Sequence, residues 1–169
     1  MTTIIGRYDI AIVGGGPAGL SAAYKASKLG ANVILFEKDE SIAHSIRTSG
    51  VSWIEDVERL GISKDHYNPI KNYCLISPSN EATIRGDSAK SCVLNVRTTY
   101  QFLALLAAEA GTEIMVRSNV VNVITDSKNR VLGLKVSTPK GDLVINCKLV
   151  IDASGFSSSI ARRLRMVNE

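Results

Sequence analysis

Residues 8–13 form a short β-rich apolar run that stops at Gly14-Gly15-Gly16. Behind it, Ala18, Ala22, Ala23, Ala26 and Leu29 recur at helical spacing, the stripe expected of an amphipathic helix. Pro17 stands where that helix starts, a position at which its missing N–H costs nothing, and Gly30 is placed to end it. Residues 32–36 are a second β-rich run, ending at Glu37. Strand, glycine turn, helix and strand within about thirty residues predict a βαβ unit, and hence two parallel strands with a right-handed crossover.

The pattern over residues 38–96 is less regular. Residues 52–60 read as a helix with Trp53, Val57 and Leu60 on one side and Gly61 behind it. Residues 74–76, 82–84 and 92–96 read as short strands separated by Pro, Ser, Asn and Gly. A longer helix is expected over residues 98–110, with Phe102, Leu103, Leu106, Ala107 and Ala110 apolar and Gly111 following. The period then shortens. Runs at 113–116, 120–125, 131–137 and 143–146 predict strands, with turns at Lys128-Asn129 and Lys140-Gly141. The last three of these read as an antiparallel meander. Residues 149–152 are a further buried strand, and residues 157–165 begin a last helix. The chain shows no internal repeat and no low-complexity linker, and the reading is of one α/β domain over residues 1–169.

Composition narrows the class. With 169 residues, 45% hydrophobic and 21% charged, the chain matches an ordinary globular domain and excludes a disordered tail or a collagen-like repeat. The longest weakly polar stretch, residues 10–20, contains three loop-forming glycines of the turn, a fourth at Gly19 and a proline, whereas a spanning helix needs roughly 20 apolar residues in a row. Asp9 interrupts the first apolar run and no basic leader precedes it, so no signal peptide is expected. Residues 1–89 carry nine Lys/Arg against ten Asp/Glu, and residues 90–169 eleven against six. The one local basic cluster, Arg162, Arg163 and Arg165, lies at the end of the last expected helix, where cations suit the helix dipole. Nucleic acid is therefore not the expected partner. Cys74, Cys92 and Cys147 form no CxxC pair, and His44 and His66 stand in no ligand frame. Neither a disulfide scaffold nor a metal site is expected, and a reducing, cytoplasmic setting fits best.

The chemistry points to Gly14-Gly15-Gly16-Pro17-Ala18-Gly19, which satisfies G-x-G-x-x-G. Gly14 would permit the tight turn, Gly16 the close approach of a pyrophosphate, and Gly19 the packing of helix on strand. The amides of Pro17's neighbours, Ala18 among them, would face the phosphates at the helix N-terminus. Glu37, followed by Lys38, stands 18 residues beyond Gly19, near the roughly 20 expected of an acid that accepts hydrogen bonds from a ribose diol and repels a 2′-phosphate. The residues thus predict dinucleotide binding, with NAD and FAD both sharing the ADP half. A compact NAD domain would place a second helix and third strand soon after Glu37; here the long helix comes about sixty residues later, and a β-meander precedes residues 149–152.

At this point the sequence resembles the glutathione-reductase-like FAD superfamily and, within it, the geranylgeranyl reductase family of flavoproteins. Three blocks carry the resemblance: residues 8–19, residues 95–102 (Asn95-Val96-Arg97-Thr98-Thr99-Tyr100-Gln101-Phe102) and residues 150–155 (Val150-Ile151-Asp152-Ala153-Ser154-Gly155). The resemblance implies a Rossmann-like FAD/NAD(P)-binding fold with a parallel sheet, helices and a β-meander crossover. It implies FAD as cofactor, hydride transfer from reduced flavin to an isoprenoid double bond, and a lipid substrate that suggests contact with a membrane surface. It also places Arg97 against the FAD. Arg97 stands at a helix start, where a cation is unfavourable unless it faces an anion. Arg47 falls in a loop where such flavoproteins have a basic cofactor contact, and Val121 matches a strand position whose backbone touches adenine. Asp152 and Gly155 match an element that shapes the cofactor site; on their own terms they can equally be a turn glycine and a carboxylate satisfying amides.

Two departures accompany the resemblance. The family often has a cysteine in the loop that here reads Arg47-Thr48-Ser49-Gly50. The last sheet strand, with its Gly-Asp element, and the β-rich substrate domain of the relatives are not found, so the chain reads as an N-terminal portion, incomplete relative to the family, whose catalytic acid and base cannot be named. Two alternatives stand beside this reading: an NAD-binding dehydrogenase domain, and an inactive dinucleotide-binding module whose exposed sheet edge pairs with a second copy.

Overall fold

Residues 3–166 are described by the computed structural model of the chain. Its elements are β1 (Thr3–Val13), α1 (Pro17–Lys28), β2 (Val33–Phe36), β3 (Val51–Trp53), α2 (Ile54–Arg59), β4 (Tyr67–Ile70), β5 (Asn72–Ile76), β6 (Glu81–Arg85), β7 (Ser91–Leu94), α3 (Val96–Glu109), β8 (Glu113–Met115), β9 (Asn119–Thr125), β10 (Val131–Thr138), β11 (Gly141–Asp152) and α4 (Ser159–Arg163). They group into two units. The first joins the residues up to Ser45 with those from Tyr100 onward; the second is Ile46–Thr99.

The first unit is built on a six-stranded sheet of order β8-β2-β1-β11-β10-β9. β1 pairs in parallel with both β2 and β11, and β2 with β8, so the βαβ unit read from the sequence is present. Every side chain of β2 is buried, as in a strand covered on both faces. Its alternation sorts them into two layers. Val33 and Leu35 pack with Leu20 and Ala23 of α1 and with Leu103 and Ala107 of α3. Ile34 and Phe36 pack on the other side with Ala11, Leu134, Val136, Ile145 and Ile160. Each buried Val, Leu, Ile or Phe among them contributes roughly 1.5–3 kcal/mol by leaving water. A buried bond between the Ser27 and Thr112 hydroxyls, 2.8 Å long, ties the end of α1 to the residue before β8.

The meander is present as β9, β10 and β11, paired antiparallel. The two strands expected at 143–146 and 149–152 are, however, one strand of 12 residues. The reason is β1, which starts at Thr3 and offers β11 a parallel partner from Leu143 to Asp152. β10 accompanies β11 only as far as Asn146. Beyond it, the β10 side of β11 has no strand partner among the described residues.

In the second unit an antiparallel sheet of order β3-β7-β4 stands beside the hairpin β5–β6. The helix expected over 52–60 is in fact a strand followed by a short helix, because Val51–Trp53 pairs with Ser91–Val93. Val57 is buried as anticipated, whereas Trp53 and Leu60 are exposed. β4 escapes a local reading because Asn68-Pro69 resembles a turn; proline is tolerated there since β4 lies at a sheet edge. The run at 92–96 ends at Leu94, and α3 starts two residues earlier than expected. Asn95 holds that start: its carbonyl accepts the Thr99 hydroxyl at 2.8 Å, and its side chain accepts the Thr98 amide at 3.4 Å. Among the described residues no helix is long and apolar enough to cross a membrane.

The sheet carries a titratable cross-link. The Tyr8 hydroxyl donates to Glu113 Oε2 at 2.6 Å, joining β1 to the residue that opens β8. Burial, then the bond to Glu113 and its charge, push the phenol up to about 12. An unfolded tyrosine releases its proton near pH 10. Stability from this group is therefore complete below about pH 10 and is lost as pH rises towards 12. Urea midpoints measured from pH 8 to 12 should fall across that window, and Tyr8→Phe should flatten the fall; an unchanged slope in the variant would remove Tyr8 as its source.

Candidate functional site

Four parallel strands of the first unit end level, since Met115 pairs with Phe36, Phe36 with Val13, and Val13 with Asp152. The ladder continues one step into the following turns: the Gly14 amide donates to the Phe36 carbonyl at 2.8 Å, and the Ala153 amide to the Val13 carbonyl at 2.9 Å. Two strand-to-helix turns, one after β1 and one after β11, consequently lie side by side at the carboxyl edge of the sheet. In open α/β sheets that edge is where ligands bind.

The glycines differ in what demands them. Gly14 has φ 111°, and a Cβ there would stand 2.4 Å from the Ala153 carbonyl oxygen. At Gly19 a Cβ would stand 2.0 Å from the Gly14 carbonyl oxygen. Both are required by the protein's own packing. Gly16 is not. Its φ of −79° and ψ of 178° suit any residue, and a Cβ there would meet no atom within 4 Å. Pro17 and Ala18 are exposed beside it. No side chain caps α1, and its first turn contains no acid. The helix thus supplies no compensating group of its own at the positive end of its dipole, a setting that suits an anion.

Glu37, at the end of β2, turns its carboxylate onto this turn. Oε2 accepts the Gly15 amide at 2.7 Å, and Oε1 accepts the Asp39 amide at 2.8 Å. A carboxylate offers about four acceptor positions, so the half-buried group retains capacity for a pair of hydroxyl donors. Lys38 is exposed next to it.

Asp152 is used differently. Oδ1 accepts the Ser154 amide at 3.1 Å and the Ser154 hydroxyl at 2.5 Å; Oδ2 accepts the Ile160 and Ala161 amides at 2.9 and 2.8 Å. Burial opposes its ionisation, but these four bonds outweigh burial and hold the carboxyl below the usual aspartate value. Of the two readings of this residue, the amide-satisfying one is realised in full. Gly155, exposed at φ 69°, opens a 3₁₀ turn over Gly155–Ser157, and the left-handed Ser158 leads from it into α4.

Val121 lies on β9 at a register shift: Lys135 pairs with Asn122 and Val136 with Val120, leaving Val121 as the extra residue of a β-bulge. Bulges re-aim side chains and backbone near binding sites, and no local pattern signals this one. The remaining two candidates belong to the second unit. Arg47 is exposed in the loop before β3, and Arg97 is exposed in the first turn of α3. The first unit therefore brings together the glycine turn, Glu37 and the Asp152 turn. Sequence reading passed over Ala153, whose carbonyl sets the need for Gly14, and Asp39, whose amide holds Glu37. Neither contact has a signature in the chain's local pattern. Among the described residues no cluster of His, Cys, Asp and Glu could hold a metal ion.

The sequence matches the model of the FAD dependent oxidoreductase family over residues 9–161. The digeranylgeranylglycerophospholipid reductase of Methanocaldococcus jannaschii is 32% identical over 158 residues, which are 91% of this chain and 39% of that protein. The corresponding reductase of Picrophilus torridus is 34% identical over 166 residues, 92% of this chain and 41% of its own length. Among solved structures, a geranylgeranyl bacteriochlorophyll reductase-like protein of Thermoplasma acidophilum matches with a TM-score of 0.84 at 28% identity, covering 94% of this chain and 42% of that one. A myxobacterial chondrochloren halogenase, TM-score 0.74 at 20% identity, shares the fold, over 94% of this chain and 39% of its own. The chain spans about two-fifths of the length of these relatives.

The carboxylate of Asp152 makes its turn acid-sensitive. A carboxyl held below its unfolded value contributes stability that is present above about pH 4 and lost as pH falls through the lower folded value. Asp152→Ala should cost about 1.5–3 kcal/mol at pH 7 by removing bonds to a charged acceptor, and the cost should shrink towards pH 2. Urea unfolding of both proteins at pH 2–7 checks this; an equal cost at every pH would show that the charge is not involved.

Proposed function

The chain belongs to the FAD dependent oxidoreductase family, and on that premise we propose that it forms the FAD-binding part of a reductase acting on isoprenoid lipids. The observation that carries the reading is Gly16, a glycine that neither backbone conformation nor packing demands. Its bare backbone lies at the uncapped head of α1, where a Cβ would stand in the path of a diphosphate. The amides of Gly16, Ala18 and Gly19 would hold that diphosphate, with Gly14 and Pro17 shaping their approach. Glu37 would accept the ribose hydroxyls, Lys38 would flank them, and the bulged backbone at Val121 would meet the adenine. Asp152 and Gly155 would act indirectly, by holding the second turn against Gly14. A cofactor contact by Arg47 and by Arg97, which belong to the second unit, is supported by the family resemblance alone.

When bound, FAD supplies the hydride chemistry; the residues named here bind and orient it. Isoprenoid reduction is supported by relatives that are named digeranylgeranylglycerophospholipid reductases. A lipid substrate would place the intact enzyme at a membrane surface. A second reading, association of this chain with another copy, is favoured by the β11 edge beyond Asn146, which has no strand partner among the described residues. Unpaired edges invite such pairing.

Gly16→Val separates binding from folding. Valine fits the observed dihedrals and its Cβ would meet no atom within 4 Å, so unfolding free energy should change by only about 1 kcal/mol. FAD affinity, followed by quenching of flavin fluorescence, should fall at least about tenfold, since a side chain would displace the diphosphate. Equal affinity in both proteins would overturn the proposed site. For the second reading, sedimentation of the chain at increasing concentration should reveal dimers, and a monomeric mass throughout would dismiss it.

A further inference from the structure

The segment between β8 and β9 is bonded to Glu37 and its neighbours from several directions. The Glu37 amide donates to the Met115 carbonyl, the Ser118 amide to the Glu37 carbonyl and the Arg117 amide to the Asp39 carbonyl, each at 2.8 Å. Asp39 in turn donates its amide to Glu37 Oε1. Arg117 occupies φ 50°, a region that few non-glycine residues adopt and that persists where neighbours over-determine it. Its side chain donates from Nη2 to Glu40 Oε2 at 3.2 Å, while Glu40 Oε1 faces His44 Nδ1 at 3.2 Å. Ser118 is buried, its hydroxyl donating to the Val116 carbonyl at 2.9 Å.

We infer that Arg117 is a positioning residue for the Glu37 carboxylate, and through it a determinant of selectivity for ligands bearing an intact ribose diol. The inference rests on the proposed role of Glu37. A left-handed residue at 117 turns the chain so that two successive amides, those of Arg117 and Ser118, reach the carbonyls of Asp39 and Glu37. That clasp fixes the main chain on both sides of Lys38. With the main chain fixed, the Asp39 amide is directed at Oε1, and the carboxylate is held against the Gly15 amide rather than left to rotate. The pair with Glu40 adds a second tether, from the side chain, to the same loop. Both partners of that pair are well exposed, so the backbone clasp rather than the ion pair carries most of the effect.

Arg117→Pro removes the clasp: proline cannot reach φ 50° and has no amide to donate. Arg117→Gly keeps the amide and adopts the same φ without strain. ADP and 2′-deoxy-ADP are suitable probes, since they share the diphosphate and base and differ in one hydroxyl. Dissociation constants would be read from the shifts of the Gly15 and Gly16 amide resonances. The parent chain should prefer ADP by about tenfold or more, the worth of a hydrogen bond to a carboxylate. Arg117→Pro should bring that preference to within about twofold while changing 2′-deoxy-ADP binding little. Arg117→Gly should retain it, and adding Arg117→Pro to Glu37→Gln should have no further effect on the preference. Equal loss for both ligands, or loss of preference in Arg117→Gly, would overturn the inference. If the proline variant does not fold, Arg117→Val reads the same ratio: a β-branched residue resists φ 50° and should lose part of the preference, and an unchanged ratio there overturns the inference too. Absence of any preference in the parent would instead refute the role of Glu37.

Discussion

The level ending of four parallel strands is the constraint from which the site follows. Because Met115, Phe36, Val13 and Asp152 share one rung, the segments that leave them emerge together at one edge. Each segment then needs partners for amides and carbonyls that the ladder no longer satisfies. The glycine turn finds them in Phe36 and Glu37, the second turn in Val13 and Asp152, and the β8–β9 segment in Glu37 and Asp39. A slip of β1 by one residue would move Ala11 and Val13 from one buried layer to the other and would separate the two turns. Packing and site geometry are therefore set by the same register.

Two carboxylates stand at this edge with opposite assignments. Asp152 has four donors, all from its own turn and from α4. Its charge is consumed in shaping a loop, which is why its proton is lost more readily despite burial. Glu37 has two described donors, the amides of Gly15 and Asp39, so its orientation is held while part of its acceptor capacity is left for another molecule. The number of internal donors, rather than residue type or burial, separates the structural acid from the one suited to binding.

The fold is shared with flavin enzymes of different chemistry, halogenases among them. A fold alone does not choose a reaction. What this chain contributes is a way to hold a dinucleotide, and the three glycines show how that contribution is divided. Gly14 and Gly19 are needed so that the helix and the second turn can approach β1. Gly16 is left over once packing has been satisfied, and the proposed diphosphate contact would account for it.

Local pattern was enough for the βαβ unit, the helix carrying Leu103 and Ala107, the meander and the pairing of a glycine turn with Glu37, because each depends on residues close in sequence and on a clear period. It was not enough where a distant partner changed the outcome. Val51–Trp53 became a strand by pairing with β7, and the runs around residues 145 and 150 merged because β1 lay alongside both. The bulge at Val121 and the clasp at Arg117 likewise depend on ladder geometry or on bonds between segments far apart in the chain. Apolar spacing and turn chemistry are properties of neighbours, so the sequence by itself determined which elements form around the glycine motif. Backbone bonds between remote segments are decided only when the sheet assembles, so the tertiary structure alone determined how Glu37 and its supporting loop are held.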